Sequence, residues 1–303
     1  MTSTQWGAFS RFRTEFREHC DRWLEAAGGN DGWLAALQTE AAAADGTPDY
    51  PVETPIVYNT VLDTLRQTDD IRLILVGDNP GKNEQLAKNR RYLVGQAGKL
   101  GEGFFRKNPD LGIDFRKHVI ILNKSPVHTA KTKQLARLLR EGPAEFAALF
   151  DETQRWMARE TAALQQALGC PLWLVGYGEL RKKGLFSVYA DELAAAYQHP
   201  ATVVFPAGAT SSGEAAQHPD GALDPSMAVG HPGRATSTNA AAQHPATVGH
   251  PAGKLDSSPV YLFQHFSMNR FSIDLRNRSD PGKSLAENLA IIGKEHRKEI
   301  LGW

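Results

Sequence analysis

The amino-acid sequence predicts a three-layer α/β fold: a four-stranded parallel central sheet between helices, with an N-terminal helical extension and a disordered insertion. Three observations predict it. Four short runs, at 71–76, 119–122, 172–175 and 260–263, are almost continuously apolar, as strands buried on both faces are. Helical patterns separate them, and parallel neighbours need crossover connections of that kind. Each run ends in polar, Gly- or Pro-containing residues, reading GDNPGK at 77–82, NKSP at 123–126, GYGE at 176–179 and QHFS at 264–267. Those segments gather on the rim where open α/β sheets bind ligands.

The elements follow in order. Residues 1–66 form the extension: from 5 to 38 the apolar residues Trp6, Phe9, Phe12, Phe16, Cys20, Trp23 and Leu24 recur at helical spacing, with a break at Gly28-Gly29. Residues 41–55, rich in Ala, Asp and Pro, read as a loop, and 57–65 as a helix. The α/β domain spans 67–303, with helical patterns at 96–105, 132–139, 144–168 and 179–197. Residues 199–258 depart from this pattern, being dominated by Ala, Gly, Pro, Ser, Thr and His with "QHP" three times. That composition buries too little apolar surface to hold a fold, so a disordered insertion is expected, on the rim away from the strand ends. Its irregularly spaced histidines are a poor metal set.

Composition narrows the function classes. With 41% hydrophobic and 22% charged residues in 303, the chain reads as an ordinary soluble protein. No secretory signal and no apolar run of membrane-spanning length is visible, so a cytoplasmic location is expected. Cys20 and Cys170 alone exclude a disulfide framework and a four-cysteine zinc or iron-sulfur site. The formal charge of +0 hides polarity: residues before Ile71 are acidic by about seven charges, and 71–141 are basic by about nine. A basic segment of this size attracts a phosphate backbone, although a solvated lysine-rich surface explains it as well.

Several motifs are excluded. The GDNPGK segment has three residues between its glycines and Asn83 after the lysine, which is not a phosphate loop. Gly176 and Gly178 lack the third glycine of a dinucleotide fingerprint. What remains is Asp78 and Asn79 at the end of the first strand, Asn123 at the second and His265 at the fourth. Such a set suits cleavage of a glycosidic bond. Asn123 can donate and accept at once and so read the O4 and N3–H edge of uracil, a histidine aimed at O2 stabilises the departing base, and an acid or amide at the first strand positions water. Singly, each also has a plain structural reading, as a turn or helix cap or a satisfied histidine.

These residues resemble the uracil-DNA glycosylase superfamily over roughly 71–275 apart from the insertion. "VGDNPGKNEQLAKNRRYLVGQAGKL" is similar to the first motif and following element of its iron-sulfur branch, "VIILNKSP" to its base-reading strand as in the single-strand-selective branch, and "VYLFQHFSMNRF" stands where the terminal His-Pro-Ser motif falls. The resemblance implies that Asn79, with Asp78 competing, positions the water. It makes Asn123 the base reader beside Gly77, and His265 the O2 partner. It assigns Pro80, Gly81, Lys82, Ser125, Ser267, Asn269 and Arg270 to the DNA backbone, and one of Met268, Asn269, Arg270 or Phe271 to the minor groove. Tyr92 is the implied base platform, with Phe104 or Phe105 as substitutes, because Leu93 stands where that branch has phenylalanine. Gly81 replaces a tyrosine that excludes thymine. Phe266 and Met268 replace both prolines of the terminal motif, which removes its usual source of rigidity. No cluster cysteines are present, so no cofactor and no metal is expected.

The expectation is a monomeric, monofunctional glycosylase that removes uracil or a related deaminated base from DNA. The alternative is a non-catalytic nucleic-acid or nucleobase binding module of the same fold. A hydrolase of free nucleosides is a third reading, disfavoured by the basic segment.

Overall fold

The apolar runs become the four strands of one sheet in a computed structural model, which describes residues 1–198 and 260–303. They are β1 (Leu73–Gly77), β2 (Val119–Asn123), β3 (Leu172–Val175) and β4 (Val260–Phe263), all parallel, in the order β2-β1-β3-β4. Every strand residue is buried, which is why no polar alternation marks them in the sequence. Register pairs Gly77 with Asn123 and Val175 with Phe263, so the carboxyl ends finish side by side. The chain leaves β1 towards β2 and then returns to the other side of β1 for β3. The switch point of the sheet therefore lies between β1 and β3, where such folds open a crevice.

Eight helices surround the sheet among the described residues: α1 (Ser3–Ala26), α2 (Trp33–Ala44), α3 (Gln96–Lys107), α4 (Lys133–Glu141), α5 (Ala144–Leu168), α6 (Ser187–Gln198), α7 (Arg270–Arg278) and α8 (Leu285–Leu301). The Thr2 side chain caps α1 and Gln5 returns the bond, fixing where the helix starts. Its stripe of Phe9, Phe12, Phe16, Cys20 and Trp23 is buried, and Trp156 of α5 stacks on Phe12 and Phe16 at ring distances of 5.9 and 5.6 Å. The N-terminal extension thus belongs to the same core as the sheet. Trp173 of β3 packs between Phe105 of α3, Phe263 of β4 and Phe271 of α7, which seals one sheet face with aromatic rings. On α8, a Cβ at Gly293 would lie 2.6 Å from the Cβ of Tyr261, so glycine lets that helix lie flush on β4.

The structure departs from the sequence reading at the weaker elements. The helix expected over 57–65 is only a 3-10 turn at Thr60–Thr64, because Ile56 pairs with Val127 as an isolated bridge and the buried Val57 and Tyr58 stay extended. The helix expected over 179–197 is a 3-10 turn at Tyr177–Leu180 and then α6, interrupted by Lys183 at φ 67° and by Gly184, whose Cβ would collide with the Glu179 carbonyl. α2 runs four residues into the expected loop, and α7 and α8 were not anticipated. The expected insertion at 199–258 lies outside the described residues. Among those described, no helix is long and apolar enough to cross a membrane.

Candidate active site

A cavity of ≈ 600 Å³ opens at the carboxyl ends of the strands, walled by Asp78, Asn79, Gly81, Lys82, Glu84, Leu93, Asn123, Lys131, His265, Ser267 and Met268 among others. The four residues predicted to carry chemistry all reach it. Asn123 is 1% exposed, its Nδ2 has no hydrogen-bond partner, and neither end of its carboxamide is engaged by the described residues. Gly77 makes room for it, since a Cβ there would stand 2.6 Å from Asn123 Oδ1. A buried, unanswered carboxamide is rare in folded proteins and marks a place where something else is to bind.

Asn79 is oriented differently. Its Nδ2 donates to Thr129 Oγ1 at 2.8 Å and to the Val127 carbonyl at 3.2 Å, and its oxygen is left without a partner among the described residues. The side chain therefore offers the cavity an acceptor. The loop behind it is fastened by His128, whose Nδ1–H donates to the Pro80 carbonyl at 2.9 Å while Nε2 accepts from the Tyr50 hydroxyl. Full burial holds His128 down to about 4, so it stays neutral and this donor pattern persists at neutral pH.

Asp78 is ion-paired. Lys124, fully buried, places Nζ 2.6 Å from Asp78 Oδ1 and donates to the carbonyls of Val175 at 2.7 Å and Gly77 at 3.3 Å. All three ammonium protons are thereby engaged, so Lys124 is a tie between the ends of β1, β2 and β3 and no nucleophile. Gly176, at φ 83°, is required on both counts: the conformation favours glycine, and a Cβ would lie 2.5 Å from Asp78 Oδ1. Lys124 was missed by the sequence reading. A lysine inside "VIILNKSP", directly after a buried run, was the signal that a buried ion pair was needed there.

His265 receives a hydrogen bond at Nδ1 from the backbone N–H of Ser267 at 3.2 Å, and the Ser267 hydroxyl lies 2.7 Å from the same atom. Because a backbone N–H can only donate, Nδ1 is the acceptor and the neutral ring carries its proton on Nε2. Burial lowers the His265 pKa, Asp78 opposes that shift, and Lys124 and Arg270 reinforce it. The residue thus presents a neutral N–H donor at neutral pH. Nε2 has no partner among the described residues.

The loop after β4 is anchored by packing where the prolines are missing. Phe266 and Phe271 are both 2% exposed, their rings 4.7 Å apart, and Gly101 of α3 leaves space for Phe266, whose ring would lie 3.2 Å from a Cβ there. Between these anchors Met268 and Asn269 adopt left-handed backbone at φ 54° and 55°, and Met268 stands 69% exposed. Asn269 and Arg270 are exposed beside it.

Several expected roles are corrected by this geometry. Phe271 cannot enter a groove, because it is buried in the aromatic anchor. Tyr92 is fully buried, donates to the Val57 carbonyl, and lies outside the cavity wall; Phe105 stacks on Phe115 and Trp173 in the core, and Phe104 meets Phe271 edge to face. The apolar side chains that do line the cavity are Leu93, Ala97, Ala130 and Met268. Ser125 is fully buried on Thr153 and cannot meet a phosphate, and the Ser267 hydroxyl is engaged by His265. Pro80 is buried, its carbonyl held by His128 and Thr129, whereas Gly81 and Lys82 do line the mouth. No group of three or more His, Cys, Asp or Glu is placed to hold a metal ion among the described residues.

No protein-family model, no curated protein and no solved structure matches this chain. The functional reading therefore stands on the residues and their geometry alone.

Proposed function

We propose that the chain is a DNA glycosylase that hydrolyses the N-glycosidic bond of uracil, or a related deaminated base, flipped out of DNA into the cavity at the strand ends. The observation that carries this is the buried Asn123 carboxamide without a partner, sharing one wall with a free acceptor on Asn79 and a free N–H on His265. Uracil presents an acceptor at O4 next to a donor at N3, the complement of a carboxamide. Cytosine presents the reverse pair and meets like groups as long as the carboxamide keeps the orientation it has here, with Oδ1 over Gly77.

In the chemical step, negative charge grows on the base as the glycosidic bond breaks. The Nε2–H of His265 meets that charge at O2 as a preorganised neutral donor, which needs no proton transfer. Asn79 accepts a hydrogen bond from the attacking water and directs its lone pair at the sugar carbon. Asp78, with one oxygen on Lys124, keeps a carboxylate beside the positive charge that develops on the sugar. Leu93 gives the flat face of the base an apolar wall, and Met268, exposed at the loop tip, fills the stack that the base has left.

The deciding experiment incubates purified protein with single- and double-stranded oligonucleotides carrying one uracil, hypoxanthine or xanthine, followed by alkali. Strand breaks at uracil and none at cytosine are expected. Binding of the same oligonucleotides without breaks at any deaminated base would leave a non-catalytic binding module, and neither binding nor breaks would remove the nucleic-acid reading altogether.

A further inference from the structure

We propose that Thr129 is a positioning residue for Asn79: its hydroxyl oxygen, with the Val127 carbonyl, holds the nitrogen of that carboxamide inward and so keeps the oxygen turned to the cavity. The inference rests on the glycosylase reading above only in what that oxygen then does. An asparagine carboxamide has a donor end and an acceptor end of nearly the same shape, so its neighbours alone decide which end faces a cavity. Asn79 Nδ2 lies 2.8 Å from Thr129 Oγ1 and 3.2 Å from the Val127 carbonyl. A carbonyl can only accept. The single proton of the Thr129 hydroxyl goes to the Lys131 carbonyl at 3.1 Å, which leaves Oγ1 an acceptor towards Asn79. Turned over, the carboxamide would set its oxygen against the Val127 carbonyl and would have to draw the hydroxyl proton away from Lys131.

Thr129 can serve as a fixed reference because its own place is over-determined. It is 1% exposed, and its backbone N–H donates to the Pro80 carbonyl at 3.2 Å, which ties it to the residue next to Asn79. The segment that carries it is pinned by the N-terminal extension. Gln38 of α2, buried, donates to the carbonyls of His128 at 2.8 Å and Pro55 at 3.0 Å. The amide of His128 donates to the Pro55 carbonyl, and that of Val57 to the Pro126 carbonyl, both at 2.9 Å. Beyond Thr129, Lys131 pairs with Asp45 at 2.7 Å, which steadies the residue whose carbonyl takes the threonine proton. None of these bonds involves Asn79, so the pair of acceptors is set by the fold and the carboxamide conforms to it. Water positioning needs that preorganisation, because a carboxamide free to turn over presents an N–H to the water for part of the time.

The test compares full-length wild type with Thr129→Val, which keeps the shape and loses the acceptor, Thr129→Ser, which keeps the acceptor, Asn79→Ala, and Asn79→Ala combined with Thr129→Val. Two quantities are read: kcat and KM for a uracil oligonucleotide, and solvent exchange of the Asn79 side-chain amide protons by NMR with isotopically labelled asparagine, assigned by their loss in Asn79→Ala. Thr129→Val is expected to lower kcat about tenfold with KM changed less than about twofold, and to speed the amide exchange at least about fivefold. Thr129→Ser should bring both back to within about threefold of wild type. In the Asn79→Ala background the added Thr129→Val should change kcat by less than about twofold, since no carboxamide is left to orient, whereas a merely structural role costs the same factor in both backgrounds. Thr129→Ala gives the same readings if valine destabilises the fold. An equal loss in the two backgrounds, or amide exchange that Thr129→Val leaves unchanged, overturns the proposal. If wild type removes no base, the exchange measurements still decide whether Thr129 orients Asn79, and only the glycosylase reading is lost.

Discussion

At the scale of single residues, the site contains groups that a stable core would not keep. The Asn123 Nδ2 is buried and bonded to nothing, which costs the fold about 1–3 kcal/mol. Asn123→Ala removes that cost, so its melting temperature should equal or exceed that of wild type while kcat/KM on uracil DNA falls at least about 100-fold. A lower melting temperature with full activity would show that the carboxamide serves the fold. Glu84 makes a second, independent prediction. Its carboxyl ionises at about 7 in the folded chain against 4.5 ordinarily, so between those values the folded chain holds a proton that the unfolded chain has released. The stability linked to this group is fully present below pH 4.5 and lost as pH rises through 7. Glu84→Gln has no such dependence, so relative to wild type it should gain a few kcal/mol in urea unfolding between pH 4.5 and pH 8, at about 1.4 kcal/mol for each pH unit that separates the folded and unfolded ionisations. An identical difference at both ends of that range would mean that Glu84 titrates as an exposed carboxyl does.

At the scale of elements, the ends of β1, β2 and β3 are tied by one ammonium group. Lys124→Met keeps the aliphatic stem but leaves the Asp78 carboxylate and two strand-end carbonyls facing apolar surroundings, at a cost of about 3–5 kcal/mol in denaturant unfolding. Adding Asp78→Asn should recover part of that loss, because it removes the unpaired charge; a purely additive second loss would mean that the two side chains are not coupled. The tie also shows what could be read from the sequence and what could not. The strands and α5 were legible because burial on both faces, or on one long stripe, leaves a continuous apolar signature. So were Asp78, Asn79, Asn123 and His265, because strand ends of a parallel sheet converge whatever the details. α8 was missed although Ser284 and Glu287 form a reciprocal cap that stands in the sequence. The apolar wall of the cavity was misread for a different reason. Aromatic rings are the usual choice for such a surface, but Tyr92, Phe104 and Phe105 are drawn into the core by Val57, Trp173 and Phe271, and a backbone twist at Leu93 decides which residue faces the cavity. A positive φ at leucine leaves no trace in composition or periodicity.

At the scale of the whole molecule, a net charge of +0 conceals unequal cations. Lys131 and Lys133 both pair with Asp45, whose carboxyl they hold far below its usual range, so part of their charge is answered within the protein. Lys82, at the cavity mouth, donates to the Pro48 carbonyl at 3.3 Å and lies over the Tyr50 ring, and Arg270 stands exposed beside Met268; neither has a carboxylate partner among the described residues. A phosphate backbone binding across this mouth sheds its condensed counterions most completely where it meets cations that no carboxylate already answers. Plotting the logarithm of the binding constant for single-stranded DNA against the logarithm of salt concentration should therefore give a negative slope, which Lys82→Ala and Arg270→Ala each reduce by about 0.7. Lys133→Ala should reduce it by clearly less, since it frees Asp45 to pair more closely with Lys131. Equal effects from all three variants would mean that the cations act as an undifferentiated cloud. A slope unchanged by Lys82→Ala and Arg270→Ala would mean that the DNA strand does not cross the mouth of this cavity.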